Sequence, residues 1–197
     1  MRKRDLEIAL ERLEKQSDYD VSLEQYPTPA PIVADIVFNA YMEGDVQGLR
    51  VADLGCGNGV FAIAAALMGA GQTVGYDISE HSIEVARRNA VLAEVDTEFI
   101  LSDVKDIEDG ADTIFMNPPF GCQNRRADRP FLDKAMELSE CVYSIHKAET
   151  TDFVVKYGES RQRKVSLCKI YKYDIPHMFE FHREKNRSIE IAVVKIR

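Results

Sequence analysis

Much of what would place this chain in a specialised class is missing from it. Its four cysteines, Cys56, Cys122, Cys141 and Cys168, form no CxxC pair and follow no regular spacing. That excludes a disulfide framework and a zinc ribbon. The histidines have no ligand spacing either, so no metal is expected. No secretory-type leader opens the sequence, and no apolar run approaches the roughly 20 residues needed to cross a bilayer. A soluble, cytoplasmic protein with reduced thiols, away from any membrane, is the expectation. Repeats and low-complexity segments are absent too. The 197 residues suit one α/β core and leave little for a second. A single domain is expected over 1–197, with an N-terminal helix and arm over 1–30 and the core over 31–197.

An overall positive charge is also lacking. The formal net charge of −8 argues against indiscriminate binding to nucleic acid. Its distribution is uneven: residues 161–197 hold ten Lys or Arg against four Asp or Glu, net +6, which leaves −14 for the first 160. A polyanion should therefore meet the C-terminal third.

What is present is an alternation of strand and helix. Leu6, Leu10 and Leu13 make one narrow apolar stripe over 2–16. Pro27, Pro29 and Pro31 then keep the chain irregular until a helix starts near Pro31, with Ile32, Ile36 and Ala40 on one face. Strands are predicted over 51–54, 73–76, 97–101, 113–116 and 141–145, separated by helices over 60–68, 79–92 and 130–139 and followed by one over 149–158. This is the pattern of a parallel sheet covered on both faces. The stretches 163–171 and 188–196 have no helix between them and predict an antiparallel hairpin at the end of a seven-stranded, mostly parallel sheet.

Two turns carry the chemistry. Strand 113–116 delivers Asn117-Pro118-Pro119-Phe120, a stiff extended hook because each proline fixes its own φ and keeps the preceding residue out of the helical region. The Asn117 side-chain carbonyl, the Pro118 backbone carbonyl and the Phe120 ring suit a planar amine. The other turn, Gly55-Cys56-Gly57-Asn58-Gly59, joins strand to helix as a nucleotide loop does. Its glycine spacing is not that of a dinucleotide fingerprint. Asp53, Asp77 and Asp103 fall at the carboxyl ends of three strands, where open α/β sheets bind ligands. Asp53 is read as holding an ammonium group, Asp77 as accepting ribose hydroxyls, and Asp103 as accepting an adenine amino group beside the Val104 N–H.

At these residues the chain resembles the Rossmann-like class I S-adenosylmethionine-dependent methyltransferases. Gln25-Tyr26-Pro27-Thr28, residues 52–57, residues 117–121 and Tyr143-Ser144-Ile145-His146-Lys147, in that order, are similar to the methyltransferase-like protein five family over nearly the whole chain. The resemblance implies N6-methylation of an adenine in small-subunit ribosomal RNA. It implies S-adenosylmethionine contacts from Gln25, Thr28, Gly55, Asn58, Val60, Asp77, Asp103 and Val104, with residues 117–120 holding the target base. Cys122 stands where relatives have threonine. Eukaryotic relatives need a small zinc-binding activator protein, a possible partner here.

The substrate side is read from charge and rings. Arg125, Arg126 and Arg129 cluster beside the hook, and His146-Lys147 end the fifth strand on the same edge. Phe179, Phe181, His182, Arg183, Lys185 and Arg187 interleave rings and cations, a composition for stacking on unpaired bases and gripping phosphate. An Asn-Pro-Pro hook would present a protein glutamine or a DNA adenine equally well; Phe120 in place of tyrosine, the short chain and the positive C-terminal segment favour RNA. A non-catalytic ribosome assembly factor is the third reading, opposed by the intact Asp77 and Asn117.

Overall fold

A computed structural model describes residues 1–15, 28–119, 127–175 and 187–197. The expectations for Gln25, Phe120, Arg125, Arg126, Phe181, Arg183 and Lys185 fall outside these residues, as do those for Phe179 and His182.

Seven strands form one sheet in the order β3-β2-β1-β4-β5-β7-β6. They are β1 (Arg50–Leu54), β2 (Gln72–Asp77), β3 (Glu98–Leu101), β4 (Thr113–Met116), β5 (Val142–Lys147), β6 (Val165–Ile175) and β7 (Arg187–Ile196). The first five run parallel. The expected hairpin is present, but β7 rather than β6 joins the parallel sheet, pairing antiparallel with β5 and leaving β6 at the edge. Strand order reverses between β2-β1 and β4-β5, which puts the switch point at the carboxyl ends of β1 and β4.

Strand alternation divides the core in two. Val51, Phe115, Tyr143 and Ile145 face α1 (Lys3–Glu11), α2 (Ala30–Met42), α3 (Val60–Leu67) and α4 (Glu80–Leu92). Ala52, Leu54, Ile114, Met116 and Val142 face α5 (Arg129–Leu138) and α6 (Thr151–Glu159). Helix α1 ends sooner than its stripe predicts, yet Leu6, Leu10 and Leu13 are all buried. Proline opens α2, and Ser79 caps α4 by accepting from the Ser82 N–H. The α2 stripe is wider than expected, since Val33 and Val37 are buried beside Ile32, Ile36 and Ala40. Phe115 stacks between Phe61 and Tyr143, with centroids 5.6 and 5.3 Å away, and anchors β4 just below the hook. Among the described residues no helix is long and apolar enough to cross a membrane, and no cluster of His, Cys, Asp or Glu could hold a metal.

Candidate active site

The switch point opens into a cleft of about 290 Å³ lined by Gly55, Asp77, Ile78, Asp103, Val104, Asn117, Pro119 and Phe131 among others. This is the lower end of the range for small-molecule sites. The glycine turn builds one wall. Gly55 and Gly59 have φ of +70° and +82°, the left-handed region that side chains rarely adopt. A Cβ on Gly59 would also lie 2.6 Å from the Phe99 ring, while one on Gly55 would lie 3.1 Å from Phe131 across the cleft. The turn hangs from β2, with the Gly55 and Cys56 N–H groups donating to the Tyr76 carbonyl at 2.8 and 2.9 Å.

Asp77 is the acid the cleft displays. It is buried, and its two oxygens accept from the Gly57 and Ser79 N–H groups, each at 2.9 Å. Burial raises its pKa against those bonds. Each carboxylate oxygen keeps further lone-pair capacity for a ligand's hydroxyls. Asp103 caps the short 3₁₀ turn Val104–Asp106 by accepting from the Lys105 N–H at 3.0 Å, so Asp103 and Val104 enter the cleft as one rigid unit.

Asp53 has a different place from the one its position suggests. Alternation turns it toward α3, where it is 1% exposed and accepts from the Ala62 N–H at 3.2 Å. It does not line the cleft. Burial, with the charge of Asp77 added, raises its pKa to about 7. Asn58 and Val60 also stand behind the turn: Val60 begins α3, and the Asn58 amide donates to the Glu14 carbonyl at 3.1 Å.

Asn117 comes after Met116 and lies beside Thr28, just ahead of α2, on the side of the sheet opposite to Met116. Its amide nitrogen donates to Thr28 Oγ1 at 3.0 Å, so the hook and the end of the N-terminal arm fix each other's orientation. Pro118 is buried and Pro119 faces the cleft. His146 is brought to neither. It shares a face with Ser144, lies under α5 at 2% exposure, and its Nε2 is 2.7 Å from Ser144 Oγ. Burial alone lowers its pKa to about 4, so it is neutral at physiological pH. Lys147, the last residue of β5, is half-buried and does not line the cleft.

Sequence reasoning passed over Asn89. Fully buried on α4, it reads the Glu14 backbone in both directions: its Oδ1 accepts from the Glu14 N–H at 2.7 Å and its Nδ2 donates to the Glu14 carbonyl at 3.1 Å. The same Nδ2 donates to the Asn58 carbonyl at 3.0 Å, and Arg88 forks onto the Glu14 carboxylate. The glycine turn and the chain leaving α1 are thus clasped by one side chain. An amide interrupting the stripe Ile83, Ala86, Ala90 was the available signal.

Comparison with known proteins agrees with this geometry. Residues 45–186 match a family described as a methyltransferase domain. The chain is 33% identical to the zebrafish (Danio rerio) rRNA N(6)-adenosine-methyltransferase METTL5, with 99% of this chain and 98% of that one aligned. It is 34% identical to the Drosophila melanogaster Mettl5, over 95% and 92% of the two. Among solved structures, a Pyrococcus horikoshii protein described as a candidate RNA methyltransferase superposes with a TM-score of 0.91 at 36% identity, covering 100% of this chain and 97% of that one. Matches of this extent run through the arm, the glycine turn, the hook and the closing hairpin together, and the chain belongs to the METTL5 family of methyltransferases.

Proposed function

We propose that this protein transfers the methyl group of S-adenosylmethionine to the exocyclic amine of an adenine in RNA, with small-subunit ribosomal RNA as the substrate. The observation that carries the reading is the placement of Asn117: at the end of β4, across the switch point from Gly55 and Asp77, oriented by Thr28 and stiffened by two prolines. The METTL5 relatives, named as rRNA N(6)-adenosine methyltransferases, support the substrate. So does the positive charge of residues 161–197.

The cleft suits the cofactor. Asp77 would accept its ribose hydroxyls, Asp103 its adenine amino group and the Val104 N–H a ring nitrogen. Gln25 and Thr28 would cover it, while Asp53, Asn58 and Val60 support the turn from behind. When bound, S-adenosylmethionine supplies an electrophilic methyl group. The remaining work belongs to the hook. An adenine amine is a poor nucleophile because its lone pair is delocalised into the ring. The Asn117 side-chain carbonyl and the Pro118 backbone carbonyl would accept hydrogen bonds from its two N–H groups and favour the pyramidal form that can attack. Phe120 stacks on the ring. These acceptors tighten as positive charge develops on the nitrogen, which stabilises the transition state selectively. The alkylated nitrogen is strongly acidic and loses its proton to water, so no tuned base is needed.

RNA would approach over Arg125 and Arg126 and over Phe181, Arg183 and Lys185. Lys147 and the buried His146 would support the carboxyl end of β5. A small zinc-binding activator would dock on the edge strand β6, where Leu167 and Ile170 are 50% and 47% exposed. The setting is cytoplasmic, where small subunits are available. Mass spectrometry of ribosomal RNA from cells with and without the protein is the deciding experiment: one N6-methyladenosine should vanish with the gene product and return with the parent protein. Asn117→Ala should restore it poorly, turning over roughly a hundred- to a thousandfold more slowly at saturating cofactor. An unchanged modification profile would end this reading.

A further inference from the structure

The guanidinium of Arg129, the first residue of α5, makes no hydrogen bond or close ion pair among the described residues, although its charge acts on the adjacent Asp128 carboxyl. The half-buried guanidinium lies over two rings of α6, 5.2 Å from the Phe153 centroid and 5.4 Å from that of Tyr157. Its Nε is buried and makes no hydrogen bond. The adjacent Asp128 carboxyl lies 3.9 Å from Nδ1 of the neutral His146 and makes no close ion pair with the guanidinium. Arg161, on the other side of the same stack, is the contrast: it lies 3.7 Å over Tyr157 and pairs with Asp133 at 2.6 Å.

Among the described residues only the charge of its chain neighbour Asp128 answers the Arg129 guanidinium. It sits at the positive pole of α5, where the macrodipole favours anions, and its planar fork of donors is stacked so that it cannot fold away. Its chain neighbours Ala127, Pro130 and Phe131 line the catalytic cleft. A cation held rigidly beside a cleft, with the helix N-terminus adding to its field, is complementary to an anion outside the protein.

Resting on the RNA reading above, we infer that Arg129 binds a backbone phosphate of the RNA beside the nucleotide that enters the cleft. Phe153 and Tyr157 hold the guanidinium flat for it. The phosphate supplies the close acceptor that the guanidinium does not find among the described residues, and the contact positions RNA without reading its sequence.

Arg129→Gln and Arg129→Lys test this on a single-stranded oligonucleotide from small-subunit ribosomal RNA, by fluorescence anisotropy across a salt series. Arg129→Gln should weaken binding roughly tenfold at low salt. The log–log salt slope should become shallower by about 0.7, one phosphate contact on a single strand. The same factor should appear in KM for RNA rather than in kcat, with S-adenosylmethionine affinity unchanged by calorimetry. Arg129→Lys should keep the parental slope and recover part of the affinity. Neither variant should melt earlier than the parent. An unaltered salt slope with a lowered Tm would make Arg129 a structural strap and overturn the inference. So would weakened cofactor binding with RNA affinity intact, because the anion would then be the cofactor's carboxylate. A parent protein that neither binds nor methylates RNA would instead sink the underlying reading.

Discussion

Two pairs of buried aspartates in this protein are shifted in opposite directions. Asp53 and Asp77, under and beside the glycine turn, accept hydrogen bonds among the described residues from backbone N–H groups alone, and burial raises both. Asp35 on α2 and Asp45 just after it meet side chains. Asp35 accepts from Lys3, Lys169 and Tyr171 at 2.8, 2.6 and 2.7 Å; burial pushes its pKa up, but these partners outweigh it and hold it at about 2. Asp45 accepts from Lys195, Tyr143 and Arg197, which likewise outweigh burial. The paired acids tie α1, α2, β6 and β7 together. The acids held by backbone alone keep a site in which a ligand can complete the charge balance.

Breaking the structural set should have the largest effect. Asp45→Ala leaves Lys195 and Tyr143 with Glu43 alone and removes the partner of Arg197, and should lower stability by about 3 kcal/mol in urea titration. Cofactor affinity of the protein that remains folded should be unaltered. A variant as stable as its parent would remove the distinction between the two sets. Asp77→Ala should weaken S-adenosylmethionine by roughly 1.5–3 kcal/mol by calorimetry, with a smaller loss of stability than Asp45→Ala, from the Gly57 and Ser79 N–H groups it leaves unpaired. Equal affinity would show that the ribose is held elsewhere.

The pH dependence sharpens the contrast because the signs differ. A depressed carboxyl contributes stability above its unfolded value near 3.8 and loses it as pH falls toward the folded value. For Asp35 that is about 2 kcal/mol, lost between roughly pH 4 and pH 2 and absent from Asp35→Asn. A raised carboxyl contributes stability below its unfolded value and loses it as pH rises. For Asp53 the loss should run from about pH 4 to about pH 7, and Asp53→Asn should flatten it. Melting curves on the two variants across pH 2–8 should thus meet the parent at the acid end and part from it in opposite directions as pH rises, Asp35→Asn falling below the parent and Asp53→Asn rising above it. The smallest effect is expected from Arg88→Gln, which removes a half-exposed ion pair with Glu14 and should cost under about 1 kcal/mol. A larger loss in cofactor affinity than in stability would show that the Glu14 clasp sets the glycine turn.

The parts of the site legible in the sequence were those governed by neighbours along the chain. Positive φ at Gly55 and Gly59, the stiffness of Asn117-Pro118-Pro119 and the arrival of Asp77 and Asp103 at strand ends follow from local sterics and from strand period. His146 misled because a histidine at a strand's carboxyl end looks available until α5 is packed over it. Arg129 was visible as one of three arginines, but that its guanidinium stacks on Phe153 and Tyr157 without a close carboxylate appears only in the packed structure, where Arg161 takes Asp133.

The sequence by itself determined that strands and helices would alternate, that two strands without a helix would close the chain as a hairpin, and which residues would stand at the carboxyl edge. Each rests on interactions a few residues apart, where sterics and apolar period act directly. Tertiary structure decided that β7 would enter beside β5 and leave β6 exposed, that Asp53 would turn under α3 while Asp77 faced the cleft, and that Asn117 would meet Thr28 and Asn89 would meet Glu14. The last two join residues 89 and 75 positions apart. No local preference selects such partners; they are chosen by which packing buries the two apolar faces of the sheet while giving each buried polar group a hydrogen bond.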